Sequence, residues 1–194
     1  ESPETMAQCQ RVKEFMNYQI TEVMEEYDPD MDSLLFYLPL AGSAFKKVYF
    51  DALLGRATSA FVKAEDLVVS YETTTLETSQ RISHILNMTG NDIRKMQING
   101  IYRDIEIGSP GEVSLDDAKD KMDELQGLSK PTSDYDEYTL LELHVNLELD
   151  DIDQYDYAVP YIVTILEDSG EILSIRRNWE EGDKLFRKKE YFIH

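Results

Sequence analysis

Hydrophobic residues recur at three- and four-residue steps near the start of the chain, and this pattern predicts two amphipathic helices. The first spans residues 4–27, with Ser2 and Pro3 as its cap and first turn and Asp28-Pro29 as its break. The second follows and is predicted to end at Pro39 and Gly42. The apolar faces are Val12, Phe15, Met16, Ile20, Val23 and Tyr27 in the first helix, and Met31, Leu34, Leu35 and Leu38 in the second.

The next part of the chain carries the signals of extended strands. Residues 45–50 and 58–62 are rich in β-forming side chains and flank a turn over 51–55, so they predict a hairpin. Residues 67–69 and 80–88 give weaker strand signals. We therefore expect the helices to be followed by a small antiparallel sheet.

Two more helices are predicted in the central part of the chain. Thr89 and Ser114 each lie three residues before an aspartate, which approximates a capping box. Gly100 and Gly127 suit the left-handed position at the ends of these helices. The polar residues 128–137 that follow predict a loop, which we interpret as mobile.

Long antiparallel strands are predicted for the rest of the chain. From Tyr138 the alternation of apolar and polar positions is strong and indicates a long, half-buried strand. Residues 160–166 and 172–177 flank a glycine turn and predict a hairpin, and 184–193 predict one more strand. In the long strand the apolar face is Thr139, Leu141, Leu143, Val145, Leu147 and Leu149, and the polar face is Glu142, His144, Asn146 and Glu148.

This order of elements predicts an α+β fold with N-terminal helices, a small β-hairpin, two middle helices and a mostly antiparallel C-terminal sheet. With 194 residues and 22.5 kDa, the chain suits a single α+β module over residues 1–194. It begins without methionine and stops in a strand-like run, so we expect it to be a fragment of a longer protein.

The net charge is strongly negative and narrows the possible functions. Lys and Arg number 19 and Asp and Glu 39, giving a formal charge of −20 and a pI near 4.4. Such a chain is repelled by phosphate, which disfavours tight nucleic-acid binding and anionic membrane surfaces. No apolar run approaches the ~18 residues of a membrane helix. The single cysteine, Cys9, allows no internal disulfide.

Few residue patterns indicate chemistry. Asp28, Asp30 and Asp32 have the spacing of a calcium loop, but the loop's required glycine and glutamate are missing, so a solvated turn is favoured. His84 and His144 lie on strand-like runs, where histidine is usually structural. We therefore predict no catalytic residue, no cofactor, no metal and no enzymatic activity.

One group of basic residues stands out against the acidic background. Arg176, Arg177 and Trp179 follow one predicted strand, and Arg187, Lys188 and Lys189 lie on the next. Charge balance with Glu180 and Glu181 is the favoured interpretation. Alternatively, Arg176, Arg177, Trp179, Arg187 and Lys188 form a subunit or partner contact, because Arg and Trp often anchor interfaces.

Several segments, taken in order, resemble the portal proteins of tailed double-stranded-DNA bacteriophages, in particular those of short-tailed phages. The resemblance covers about residues 11–102 and 158–194. Its segments are 15–19 (FMNYQ), 24–27 (MEEY), 35–47 (LFYLPLAGSAFKK), 61–69 (FVKAEDLVV), 82–102 and 168–179 (DSGEILSIRRNW). Ala52 and Ser70 depart from it, since prolines are usual there.

The resemblance implies a structural, non-enzymatic role. Portals form rings, typically of twelve copies, at one capsid vertex, and they support head assembly, DNA packaging and DNA ejection. The implied partners are other copies of the chain and the capsid, scaffold, terminase motor and tail proteins, while duplex DNA passes through without tight binding. The implied location is the virion, and the host cytoplasm during assembly. The channel-lining helices are absent, so the resemblance is to the wing region.

Two alternatives remain open. An acidic DNA-mimic or regulatory protein-binding module would present its charges as a duplex-like stripe and bind basic proteins. A small hydrolase would require a pocket in which His84 or His144 meets a carboxylate.

Overall fold

The computed structural model describes residues 2–108, 137–149 and 157–194, and it confirms the α+β class. The helices are α1 Pro3–Tyr18, which continues into a π-helical segment Gln19–Val23, α2 Tyr27–Ala41 and α3 Gly90–Ile98. The strands are β1 Ala44–Asp51, β2 Arg56–Lys63, β3 Leu67–Val69, β4 Arg81–Thr89, β5 Glu137–Leu147, β6 Val159–Leu166, β7 Ile172–Arg177 and β8 Phe192–Ile193. The predicted helix of 114–127 and nearly all of the predicted loop of 128–137 lie outside the described residues.

Two compact units divide the chain. The first comprises Glu1–Leu67, Thr74–Thr78 and Glu190–His194, and the second comprises Val68–Thr73 and Ser79–Lys189. The first contains a three-stranded sheet in the order β2-β1-β8. The second is built on a five-stranded antiparallel sheet in the order β3-β4-β5-β6-β7.

The first unit packs α2 against the predicted hairpin. Strands β1 and β2 pair antiparallel from Ala44↔Lys63 to Asp51↔Arg56, which confirms the hairpin and its turn. On α2, Tyr37 meets the Phe61 ring edge-on at 5.4 Å. Glu26 accepts a hydrogen bond from Arg56 at 2.7 Å, which lowers the pKa of the Glu26 carboxyl.

The break between the first two helices was predicted at the wrong residues. The chain leaves the helix at Met24, whose φ of −93° and ψ of 76° are not helical, while Pro29 lies inside the first turn of α2. Proline is tolerated there because the amide N–H groups of a first turn have no intrahelical partner. Pro39 also lies inside α2, and the helix ends at Gly42, whose φ is 75°.

In the second unit, apolar side chains pack on both faces of the large sheet. One cluster packs against α3. This helix begins at the predicted cap, where the Thr89 side chain accepts a hydrogen bond from the Asp92 N–H. The other lies on the opposite face of β5 and β6. The buried members are Ile93, Tyr138, Leu140, Leu166 and Leu173 in the first cluster, and Val159, Tyr161, Val163 and Trp179 in the second.

The predicted last strand is mostly irregular. Only Phe192–Ile193 is strand, and it pairs with Lys46 and Lys47 of β1. Upstream, the Asp183 carboxylate accepts the N–H groups of Leu185 and Arg187, and Phe186 has a φ of 47°. Side-chain hydrogen bonds of this kind turn the backbone away from an extended course.

Candidate functional site

A row of polar side chains crosses the second unit's sheet on the face that carries α3. His84, Glu142, Thr164 and Ser174 are in register on four adjacent strands. All four are buried, with exposed fractions of 1–7%. The half-buried strand was therefore predicted incompletely: Glu142 and His144 of its polar face are buried, while Asn146 and Glu148 are exposed.

The carboxylate of Glu142 lies at the centre of this row. His144 Nε2 is 2.8 Å from Glu142 Oε1, and Arg176 Nη2 is 3.7 Å from the other oxygen. Ser174 Oγ is buried and has no hydrogen-bond partner. Because breaking a buried pair leaves an uncompensated polar group, removing either partner of the Glu142–His144 contact should destabilise the sheet.

The phenol of Tyr102 packs over the same region. Burial raises its pKa to about 12, and the nearby charge of Glu142 acts in the same direction, while Arg176 opposes it. A neutral tyrosine is thus held beside a carboxylate across the whole physiological pH range.

This cluster is the closest approach to the hydrolase alternative, because a histidine does meet a carboxylate. However, Glu142 and His144 are buried among strands, where a substrate in solvent does not reach them. The arrangement suits a structural polar network better than acid–base chemistry.

The basic residues singled out from the sequence are not brought together by paired strands. Arg176 and Arg177 project from opposite faces of β7, and the Arg177 guanidinium lies 5.8 Å from the Trp179 ring. Trp179 is buried and packs edge-on against Tyr161 and Phe186. This tryptophan therefore belongs to the second unit's core.

The other two basic candidates also make contacts within their own unit. Arg187 pairs with Asp183 at 3.4 Å, and the backbone hydrogen bonds to Asp183 lower the pKa of that carboxyl. Lys188 Nζ donates to the carbonyl of Ser79 at 3.3 Å. The neighbouring Lys189 donates its backbone N–H to the Asn178 carbonyl. Arg187 is therefore paired with Asp183, whereas the charge-balance interpretation named Glu180 and Glu181.

A further unassigned surface lies in the first unit, and sequence reasoning did not identify it. None of the residues of α1 is buried. A shallow groove runs along this helix. It is lined by Gln8, Cys9, Val12, Lys13, Met16, Asn17 and Ile20. Helical periodicity placed Val12, Phe15 and Met16 on one helix as the structure does, but Tyr27, predicted on the same face, lies on α2. The periodicity carried no signal that the face stays open.

The acidic residues of α2 include one with a structural role. Asp30 accepts the backbone N–H of Phe61 at 2.9 Å and so ties the helix to β2. Within the described ranges, no group of three or more His, Cys, Asp or Glu side chains could hold a metal ion. In the same part of the chain, no helix combines the length and the apolar character needed to cross a membrane.

Comparisons with known proteins do not assign the chain to a family. No protein-family model matches it, and no curated protein matches it significantly.

Proposed function

We propose that the chain is the wing region of a phage portal ring, a structural component at the capsid vertex that supports head assembly, DNA packaging and DNA ejection. The observation that carries this proposal is the apolar surface of the first unit. Met6, Val12, Phe15 and Met16 of α1 are 51–63% exposed, and Phe36 and Leu40 of α2 are 70% or more exposed. Exposed apolar side chains in this number on two consecutive helices are typical of interaction surfaces.

The charge of the chain supports the same role. A formal charge of −20 repels the phosphates of duplex DNA, as a conduit that must release its cargo requires. The segments that resemble portal proteins include both α2 and the β6–β7 turn, so they span the two units.

Immunogold labelling of phage particles from the organism that encodes the chain tests the proposal. With antibodies against the 194-residue chain, we expect gold at one vertex of each particle opened to expose the portal. Labelling spread over the shell, or particles without label, would overturn the proposal.

Binding titrations separate this function from the DNA-mimic alternative. At physiological salt we expect neither duplex DNA nor a basic DNA-binding protein to bind the chain with submicromolar affinity. Submicromolar binding of the basic protein would favour the mimic, and submicromolar binding of DNA would contradict a passive conduit.

A further inference from the structure

Two helices of the first unit present rows of side chains with the same four-residue spacing. On α1, two rows of side chains at four-residue spacing border the groove. One row is Gln8, Val12, Met16 and Ile20, and the other is Cys9, Lys13 and Asn17. We call this surface the α1 groove.

The outer side of α2 carries one such row as a ridge. Asp28, Asp32, Phe36 and Leu40 follow each other at four-residue spacing, and all four are exposed. We call this row the α2 ridge. Tyr37, which packs on the hairpin, is not part of this row. Fitting a four-residue ridge into a four-residue groove is the commonest way in which helices pack, at a crossing angle of about −50°.

Charge and polarity match along the same two surfaces. The α1 groove contains one base, Lys13, and no acid, while the α2 ridge begins with two acids, Asp28 and Asp32. Lys13, Asp28 and Asp32 are exposed and form no ion pair within the described part of the chain. Each surface also has apolar members: Met16 and Ile20 in the groove, beside the polar Gln8 and Asn17, and Phe36 and Leu40 on the ridge.

We propose that the α1 groove of one copy receives the α2 ridge of a second copy. This inference rests on the proposed ring-subunit function and names the contact. Each copy has one groove and one ridge, so the contact joins different surfaces and repeats from copy to copy. Such a contact closes into a ring when its rotation allows, whereas contact between two α1 helices would stop at a dimer.

The size of the contact sets its strength. A stable interface of standard size uses about 20–30 residues on each side. The groove and the ridge are much smaller, so two copies associate weakly through them and gain stability only when the contact repeats around a closed assembly.

Cysteine cross-linking of the 194-residue chain tests the contact. Cys9 is the only cysteine and lies in the α1 groove, so Phe36→Cys places the matching thiol on the α2 ridge. Under mild oxidation at high protein concentration, we expect a ladder of dimers, trimers and larger species. Leu35→Cys is the matched control, since Leu35 is 58% exposed on the same helix but lies off the ridge; we expect its ladder to be several times weaker.

The double variant Cys9→Ser/Phe36→Cys checks which thiols react. It should lose every species above the dimer, because only one thiol remains in each copy. The proposal would be overturned by dimers of wild-type chain formed through Cys9 alone. A disulfide between Cys9 and the thiol introduced by Phe36→Cys within one copy, which leaves the chain monomeric, would also overturn it. Equal ladders from Phe36→Cys and Leu35→Cys would do the same.

A charge exchange tests the pairing of Lys13 with the ridge. Lys13→Glu in the Phe36→Cys background should reduce the ladder severalfold, and adding Asp32→Lys should restore it. A loss that Asp32→Lys does not rescue would count against this pairing. If sedimentation shows oligomers while none of these cross-links forms, the contact is wrong and the ring function stands; absence of gold at the vertex removes the function itself.

Discussion

Helix α1 and strand β5 both carry amphipathic patterns, and the structure treats them in opposite ways. The apolar face of α1 remains in solvent, with no residue of the helix buried. The central part of the polar face of β5 is enclosed, with Glu142 and His144 only 7% and 3% exposed. An amphipathic pattern thus identifies which residues share a face, but the neighbouring elements decide which face is covered.

The difference separates two roles within the chain. The polar row around Glu142 has its partners within its own sheet, so it stabilises the second unit. The α1 groove has no cover within the described residues, and the partner that we propose for it is a second copy of the chain. Four experiments compare equivalent changes in the two regions.

Truncating an apolar side chain should have the largest effect in the second unit. Leu140 is fully buried in the cluster under α3, so Leu140→Ala should lower the free energy of unfolding by about 2–5 kcal/mol. Met16→Ala on the exposed face of α1 should change it by less than about 0.5 kcal/mol. Urea unfolding measures both; equal effects would mean that α1 packs in solution.

Removing the central carboxylate should be nearly as costly. Glu142→Ala leaves His144 buried without its 2.8 Å partner, and we expect a loss of about 3 kcal/mol. Glu148→Ala, an exposed acid just beyond β5, is the control and should be neutral to within about 0.5 kcal/mol. A neutral Glu142→Ala would show that the pair does not contribute to stability.

Alkaline pH should destabilise the second unit through Tyr102. Its folded pKa of about 12 lies above the ordinary value of 10.0, so the unfolded chain loses its proton first. Stability from this group is therefore complete below pH 10 and falls between pH 10 and 12, by about 2–3 kcal/mol in total. Tyr102→Phe should remove this part of the pH dependence, whereas Tyr18→Phe on exposed α1 should not. Identical pH profiles for wild type and Tyr102→Phe would contradict the burial of the phenol.

Removing a helix cap should have the smallest effect on stability, and the effect should again differ between α3 and α1. Thr89 caps α3, whose Ile93 is fully buried, so Thr89→Ala should lower global stability by about 1 kcal/mol. Ser2 caps α1 in the same way, yet Ser2→Ala should leave global stability unchanged and only reduce amide protection in the first turns. Hydrogen exchange measures the local amide protection, and urea unfolding measures the global stability. A loss of global stability in Ser2→Ala would show that α1 folds together with the rest of the chain.

The parts of the fold that the sequence predicts well are those with local signals. The hairpin of β1 and β2 has β-forming segments on both sides of a short turn, and the turn of 168–170 connects β6 and β7 in the same way. The caps of α1 and α3 use side chains three residues from their backbone donors. Each of these features needs only a few neighbouring residues.

The parts that the sequence does not predict depend on distant partners. The row through Glu142 requires His84, Thr164 and Ser174 to arrive in register from three other strands. The burial of Trp179 depends on contacts with Tyr161 and Phe186, which come from other parts of the second unit. The α1 groove carries a clear periodicity, but its exposure is a property of what the rest of the chain leaves uncovered.

The five-residue π-helical segment after α1 determines the direction in which that helix presents its groove. A π-helical turn is commonly an α-helix with one residue inserted. Successive residues of an α-helix are about 100° apart around the helix axis. Deleting Thr21 would therefore convert Gln19–Val23 to a regular helix and rotate α1 about its own axis by that angle. Lys13, Val12 and Met16 would then point in a different direction with their spacing on α1 unchanged, while Ile20, at the end of the groove, lies within the segment itself. Natural variation in the length of this segment would accordingly retune which neighbour the helix can meet, while leaving both surfaces chemically intact.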